Sequence, residues 1–460
     1  MMGGAALAFL IAATAGSGAA SPEDPCAATE DQRAPDPRCG ERLDGRVPAD
    51  ASTARQVARA ALTVPRLATE AVFWPVVKTT DFLEYHHVVD WGRALLTTDD
   101  GLVGVRPELQ YSTSFLPTGG ARVFYRRLPG PGSEVMTRFR TAGPAALLGQ
   151  IGVRGPDWLG LSLLATWNRH HDRLFAGVGP KPDEELAAAG QGRARYGFES
   201  LGADLFWSRR IPGRLIARLR GGLDRRDYRA TDVTGGPSVA DLYGLPADTC
   251  AARGLPDPCV DETQMPGFYR GLRVARAGGG LVLDLRNPAR DGGGFSFAAD
   301  GTFAQGIAGD PSRHVTWTSE AVGAIGGDDR LFLVRARATM VERLGAAPIP
   351  FEELVVPSGV IDMRGFPDGR LRDASGVVGS AEYRWYISAY LDATLFVDVG
   401  TVAGPRFAGF DGTRWFPSYG LGFRYYQPQG PHWEARAVDG IQIAYAPEGG
   451  LRLLLAMAAF

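Results

Sequence analysis

The sequence predicts an all-β protein, a transmembrane antiparallel β-barrel of about 16 strands preceded by a short N-terminal helical segment. Three observations carry that expectation. From about residue 101 the apolar residues recur with a period of two, the signature of strands with two different faces. No segment reaches the ~20 consecutive apolar residues of a transmembrane helix, so a chain of this kind that crosses a bilayer must do so as a closed barrel. The N-terminus carries the marks of export.

Residues 1–20 read as a signal peptide. Ala5 to Ala13 is an apolar core, and the small residues Gly18-Ala19-Ala20 offer a cleavage site. No Lys or Arg precedes the core. Residues 21–50, rich in Pro, Asp, Glu and Arg, read as a disordered segment. Residues 51–97 form a helical pre-barrel segment: Ala54, Val57, Ala58, Ala61 and Leu62 recur at helical spacing, and Leu67, Val72, Phe73, Val76 and Val77 resume the pattern after Pro65. Three places are open to it: the rim of the barrel, the membrane interface, or the lumen.

Residues 101–460 are assigned to the transmembrane barrel. The clearest strand is 214–226, with Leu215, Ala217, Leu219 and Leu223 on one face and Arg214, Arg218, Arg220, Asp224 and Arg226 on the other. The same alternation recurs around Leu201, Leu281, Phe332 and Leu391. In a soluble sandwich the apolar face would pack inward. In a membrane barrel it meets lipid, and the charged face lines the lumen. Export and the tryptophans near strand ends (Trp158, Trp207, Trp317, Trp385 and Trp415) favour the barrel. At roughly 22 residues per strand with its connection, 101–460 holds about 16 strands. Long loops are expected at 231–263 and 345–375.

Composition agrees with this class. Glycine makes up 61 of 460 residues, about twice the usual ~7%. Basic and acidic residues number 49 and 51, a balance that gives no reason to expect a nucleic-acid partner. The short spacings of the four cysteines favour local disulfides, Cys26–Cys39 and Cys250–Cys259, with other pairings open. No CxxC and no histidine at ligand spacing supports a metal, and no cofactor is expected. The neighbours His86-His87 and His170-His171 point to opposite faces of a strand and so cannot readily share an ion.

The inward residues Arg218, Arg220, Asp284, Arg335 and Arg337 put charge in the lumen. The arginines would either select anions or, the favoured reading, pair with Asp204, Asp224 and Asp284 on neighbouring strands.

The most specific signals lie between 349 and 424. Met363-Arg364-Gly365-Phe366 resembles the Arg-Gly-Phe/Tyr motif in the sixth extracellular loop of the BamA/TamA-like outer-membrane barrels, the bacterial surface antigen family. Ser380-Ala-Glu382-Tyr-Arg384, Phe396-Val-Asp398-Val-Gly400 and Tyr419-Gly-Leu-Gly-Phe-Arg424 resemble that family's following strands, in its order. The terminal Phe460 resembles the signal by which such barrels are recognised for assembly.

The resemblance implies a loop folded into the lumen and locked by Arg364 to Glu382 and Asp398. Both carboxylates fall on the charged face by alternation, and a guanidinium can hold two carboxylates at once. It also implies residence in the outer membrane of a Gram-negative bacterium, with membrane lipid, the barrel-assembly machinery and inserted or translocated proteins as partners. The function implied is protein or lipid insertion or translocation rather than enzymatic catalysis. The segment before the first strand shows no βααββ pattern, so the expected form is a short one lacking POTRA domains. No Gly-x-Ser-x-Gly elbow accompanies it. The alternative is a passive outer-membrane channel or porin with a charged lumen.

Overall fold

The computed structural model describes residues 74–456, apart from 77, 80–81, 83–84, 87–90, 92–93, 157, 212–213, 232–235, 256, 288–292, 328–329, 361, 388–390 and 426–439. The signal peptide, the 21–50 segment, Cys26–Cys39, most of 51–97 and Phe460 lie outside the described residues.

Eighteen strands follow one another: β1 Val103–Ser112, β2 Thr118–Arg126, β3 Glu134–Thr141, β4 Ala146–Arg154, β5 Leu161–Phe175, β6 Ala194–Arg210, β7 Leu215–Ala230, β8 Gly244–Leu245, β9 Cys259–Val260, β10 Leu272–Asp284, β11 Gly294–Gly306, β12 Arg313–Gly327, β13 Arg330–Arg343, β14 Ser375–Tyr386, β15 Leu391–Ala403, β16 Phe416–Tyr425, β17 Gly440–Ala446 and β18 Gly450–Ala456. All but β8 and β9 join one closed antiparallel barrel of 16 strands in sequence order, with β18 returning to β1. Closure leaves no open sheet edge, the condition for placing strands in hydrocarbon.

The alternation decides the faces. Val123, Ile151, Leu219, Leu281, Val397 and Tyr419 are exposed on the outer surface, where lipid would cover them. Their strand neighbours Arg122, Arg335, Glu382, Asp398 and Arg424 turn inward and are buried. Trp158, Trp207 and Trp385 lie toward one end of the barrel, Trp317 and Trp415 toward the other, consistent with two interfacial belts.

The connections differ between the two ends. At the turn end most are short, and the pre-barrel chain enters there: its described residues at 74–76, 78–79 and 94–96 are helical, and Thr97 bridges to Gly104. At the other, loop end lie the long connections 176–193, 231–271 and 344–374. Within the second of these, α2 (Val239–Leu242), the β8–β9 ladder and α3 (Ala247–Ala252) are tied by the Cys250–Cys259 disulfide; α1 (Asp183–Ala188) lies in the first. Phe175, Tyr196, Val239, Tyr243, Met265, Phe268 and Phe351 from these loops and the strand ends below them form one buried cluster. The loop end is therefore roofed by a small core of its own, in which burial pushes the Tyr243 hydroxyl up to about 12.

Candidate functional site: a loop anchored to the barrel wall

The loop 344–374 turns into the barrel and meets its wall around Arg364. Alternation on β14 aims Ser380, Glu382 and Arg384 inward, and on β15 it aims Phe396, Asp398 and Gly400 inward. The register sets Ser380 opposite Asp398, and Asp398 opposite Ser418 of β16. Arg364 inserts among them. Its Nε donates to Asp398 Oδ2 at 2.9 Å and its Nη2 to Oδ1 at 2.7 Å, a fork-on-carboxylate pair. Its backbone N–H also donates to Asp398 Oδ2, at 3.1 Å. Nη1 donates to Glu382 Oε2 at 2.7 Å, and the guanidinium carbon lies 3.4 Å from the Phe396 ring centroid. Such stacking is favourable where water is excluded.

The pocket is buried and its charges are shared. Arg364 is 5% exposed, Glu382 4% and Asp398 0%. Ser380 Oγ donates to Asp398 at 2.6 Å, while Arg384 and Arg424 both donate to the second oxygen of Glu382, Arg424 at 2.8 Å. Asp398 thus depends on Arg364 for its charge partner, whereas Glu382 keeps two other arginines.

The flanking residues fill matching spaces. Met363 lies over Gly400, where a Cβ would come within 2.5 Å of its sulfur. Phe366 meets Phe416 edge-on and packs with Leu371, Val378, Val402 and Ala446. Gly365 donates its N–H to Ser418 Oγ, and a Cβ there would stand 2.4 Å from Ser418 Cβ and 2.9 Å from Ala446 Cβ. Gly365→Ala should therefore destabilise the fold by about 1–3 kcal/mol through overpacking, read as a lower unfolding midpoint in urea. An unchanged midpoint would mean that the loop moves aside freely.

Three further attachments hold the same loop. Asp362 accepts from Arg335 and Arg337 of β13, and Arg335 also holds Glu320 at 3.1 Å. Glu353, in the short 3₁₀ turn Phe351–Glu353, receives Arg276 at 2.6 Å, Arg226 at 3.2 Å and His314 at 3.1 Å, from β10, β7 and β12. Burial works to raise the Glu353 carboxyl, but Arg226, the His314 hydrogen bond and Arg276 overcome it and hold the group at about 2. Nearer the surface, Arg370 binds Asp183 and Glu448, each at 2.9 Å, and Arg173 binds Asp368 at 2.7 Å. Beneath the roof a cavity of about 240 Å³ remains, lined by Arg173, Tyr196, Arg226, Glu352, Asp368 and Arg372 among others.

The structure brings Arg364, Glu382 and Asp398 together, with Met363, Gly365 and Phe366 seated beside them. The other lumen charges find partners different from the aspartates considered from sequence. Arg335 and Arg337 take Asp362 of the loop, Arg220 donates to Thr302 of β11, and Asp284 pairs with Arg286 two residues on, at 2.7 Å. Arg218 stands opposite Ser208 and Gly280. Alternation gives a side chain's face but not which loop residue arrives in front of it.

Sequence reasoning put Arg226 on the charged face but did not bring it together with Glu353, His314 and Arg276, whose meeting depends on where the loop lands. Asp362 carried a usable signal, since it stands two residues before Arg364. Among the described residues no group of three or more His, Cys, Asp or Glu is placed to hold a metal ion.

A closed 16-strand barrel with a long loop fixed inside it defines a class, the transmembrane β-barrel with an inward-folded loop. Comparison with known proteins adds a partial match: residues 275–433, which span the anchor and its partners, match the Omp85 superfamily domain. The closed barrel and this domain match point to the bacterial outer membrane.

It resembles the crystal structure of BamA from Haemophilus ducreyi lacking POTRA domains 1-3, with TM-score 0.51 and 14% identity, over 77% of this chain and 70% of that one. CdiB from Acinetobacter baumannii (TM-score 0.44, 12% identity) and CdiB from Escherichia coli (0.46, 12%) also match over 77% of this chain. The chain spans 60% and 63% of those two. No curated protein sequence matches it.

Proposed function

We propose that this barrel inserts or translocates proteins at the outer membrane, with the Arg364 anchor holding the long loop inside while the junction between β1 and β18 yields. The observation that carries the reading is the Arg364 fork on Asp398 and Glu382, lying within the matched Omp85 region. An anchor of this kind is a structural or gating element rather than a catalytic one. It fixes the loop to β14 and β15 and leaves β1 and β18 untouched. Among the described residues β1 and β18 share three register pairs, Gln110 with Ala456, Tyr111 with Leu455 and Ser112 with Leu454. The other barrel junctions have at least six. The roofed loop end supports this reading over a passive channel, which would conduct steadily in a planar bilayer.

Cross-linking the junction tests it. The pair Tyr111→Cys and Leu455→Cys faces across the register. In proteoliposomes the oxidised double variant should stop promoting insertion of an unfolded outer-membrane barrel, and reduction should restore it. Equal insertion in both redox states would refute a yielding junction.

A further inference from the structure

Charge is unevenly distributed around the lumen. The outward faces of β1 to β4 carry no charge: Val105, Ala121, Val123, Phe139 and Ile151 are typical. Their inward faces carry six arginines, Arg106, Arg122, Arg126, Arg138, Arg140 and Arg154, against two carboxylates, Glu108 and Glu134. Arg106, Arg122 and Arg138 stand directly opposite one another in register on adjacent strands. Like charges in that position repel.

The two carboxylates are shared. Glu108 holds Arg138 at 2.9 Å and lies 3.8 Å from Arg140; Glu134 holds Arg122 at 2.6 Å, Arg154 at 3.4 Å and Arg126 at 3.7 Å. The wall across the lumen is better matched, because Asp224, Glu320, Glu353 and Asp362 meet Arg226, Arg276, Arg335 and Arg337 there. On the inward faces of these strands, beside the junction, arginines outnumber carboxylates by four.

A second observation points to the same place. Arg452 projects inward from β18, across the junction from β1, and is 2% exposed. Its Nη2 donates to Ser112 Oγ and to Thr113 O, but among the described residues its Nε and Nη1 have no hydrogen-bond partner. Next to Ser112 on the same face of β1, Gln110 accepts from Arg140. Arg140 and Arg452 therefore flank Gln110 and Ser112, at the residues where the barrel closes. Guanidinium N–H groups buried without acceptors favour an anion, and their planar fork suits the paired oxygens of a phosphate.

We propose that the β1–β4 lumen wall, together with Arg452, binds a phosphate group. An anionic phospholipid headgroup can reach it through the β1–β18 junction, and free phosphate can reach it through the lumen. The test uses the purified full chain in non-ionic detergent, with the thermal midpoint read against added inorganic phosphate, phosphatidylglycerol or phosphatidylcholine.

A saturable rise with phosphatidylglycerol and not with phosphatidylcholine is expected. A rise with phosphate as well would show that the free ion suffices, and a rise with phosphatidylglycerol alone would assign the site to a headgroup. The Arg140→Gln, Arg452→Gln double variant should weaken the apparent affinity about tenfold. Arg218→Gln, on the matched wall, should leave it unchanged. If the double variant fails to fold, Glu108→Gln supplies the opposite test, because it enlarges the surplus and should tighten binding. The proposal is overturned if neither anion gives a saturable shift, if phosphatidylcholine acts equally, or if Arg218→Gln weakens binding as much as the double variant. An unmoved affinity in Glu108→Gln also overturns it.

Discussion

Arg364→Ala should destabilise the folded barrel by about 3–5 kcal/mol, the loss typical when one member of a buried ion pair is removed. The direction follows from what remains. Glu382 keeps Arg384 and Arg424, but Asp398, fully buried, loses both guanidinium bonds and retains the Ser380 hydroxyl and one backbone N–H. Most of the cost therefore falls on Asp398. Adding Asp398→Asn to Arg364→Ala should recover part of the loss, since it removes the stranded charge.

Arg364→Lys should fall between alanine and wild type, because an ammonium cannot grip Asp398 with two parallel bonds and reach Glu382 as well. The measurement is the urea midpoint of the purified protein, with proteolysis of loop 344–374 as a local readout. Wild-type midpoint and wild-type proteolysis in Arg364→Ala would dispose of the anchor.

A second large effect is expected at Glu353. Its carboxyl lies at about 2 in the folded protein, against about 4.5 when unfolded. A depressed acid stabilises the fold above its unfolded pKa, and that contribution fades as pH falls through the folded value. The window thus runs from about pH 4.5 down to about pH 2, and the full contribution is on the order of 3 kcal/mol. Glu353→Gln should remove it at neutral pH and leave Arg226, Arg276 and His314 facing a neutral amide. Unfolding free energies compared at pH 6 and pH 3 should fall more steeply for wild type than for the variant. Parallel profiles would show that Glu353 contributes no acid-sensitive stability.

The two anchors differ in how much of them can be read from sequence. Arg364, Glu382 and Asp398 lie within 35 residues of one another, on a loop and the two strands that follow it. Alternation alone puts both carboxylates on the charged face, so the loop has only to fold inward. Glu353 meets Arg226, Arg276 and His314, and the first of these is more than a hundred residues away. Period-two patterning says that those side chains face the lumen, but not that a 3₁₀ turn descends between them.

The barrel itself is legible for the same local reason, since every barrel strand but the last pairs with the next barrel strand along the chain and each declares its own lipid face. The roof over the loop end is not legible. Phe175, Tyr196 and Phe351 look like strand-end or loop residues until the fold brings them together. The cationic sector on β1 to β4 could have been read from alternation, for its arginines fall on the charged face of every strand.

The loop's attachments also divide the circumference mechanically. Among the described residues they reach β5 through Arg173, then β7, β10, β12, β13, β14 and β15, β16 through Ser418, and the β17–β18 turn through Glu448, but not β1 to β4. The cylinder is a ring with a cross-brace: the arc from β5 round to the β17–β18 turn is stiffened internally, and the arc of β1 to β4 is not. Strain applied to such a ring is not shared evenly along its circumference. It gathers in the unbraced arc, so a change in girth would be taken up there while the braced arc keeps its curvature.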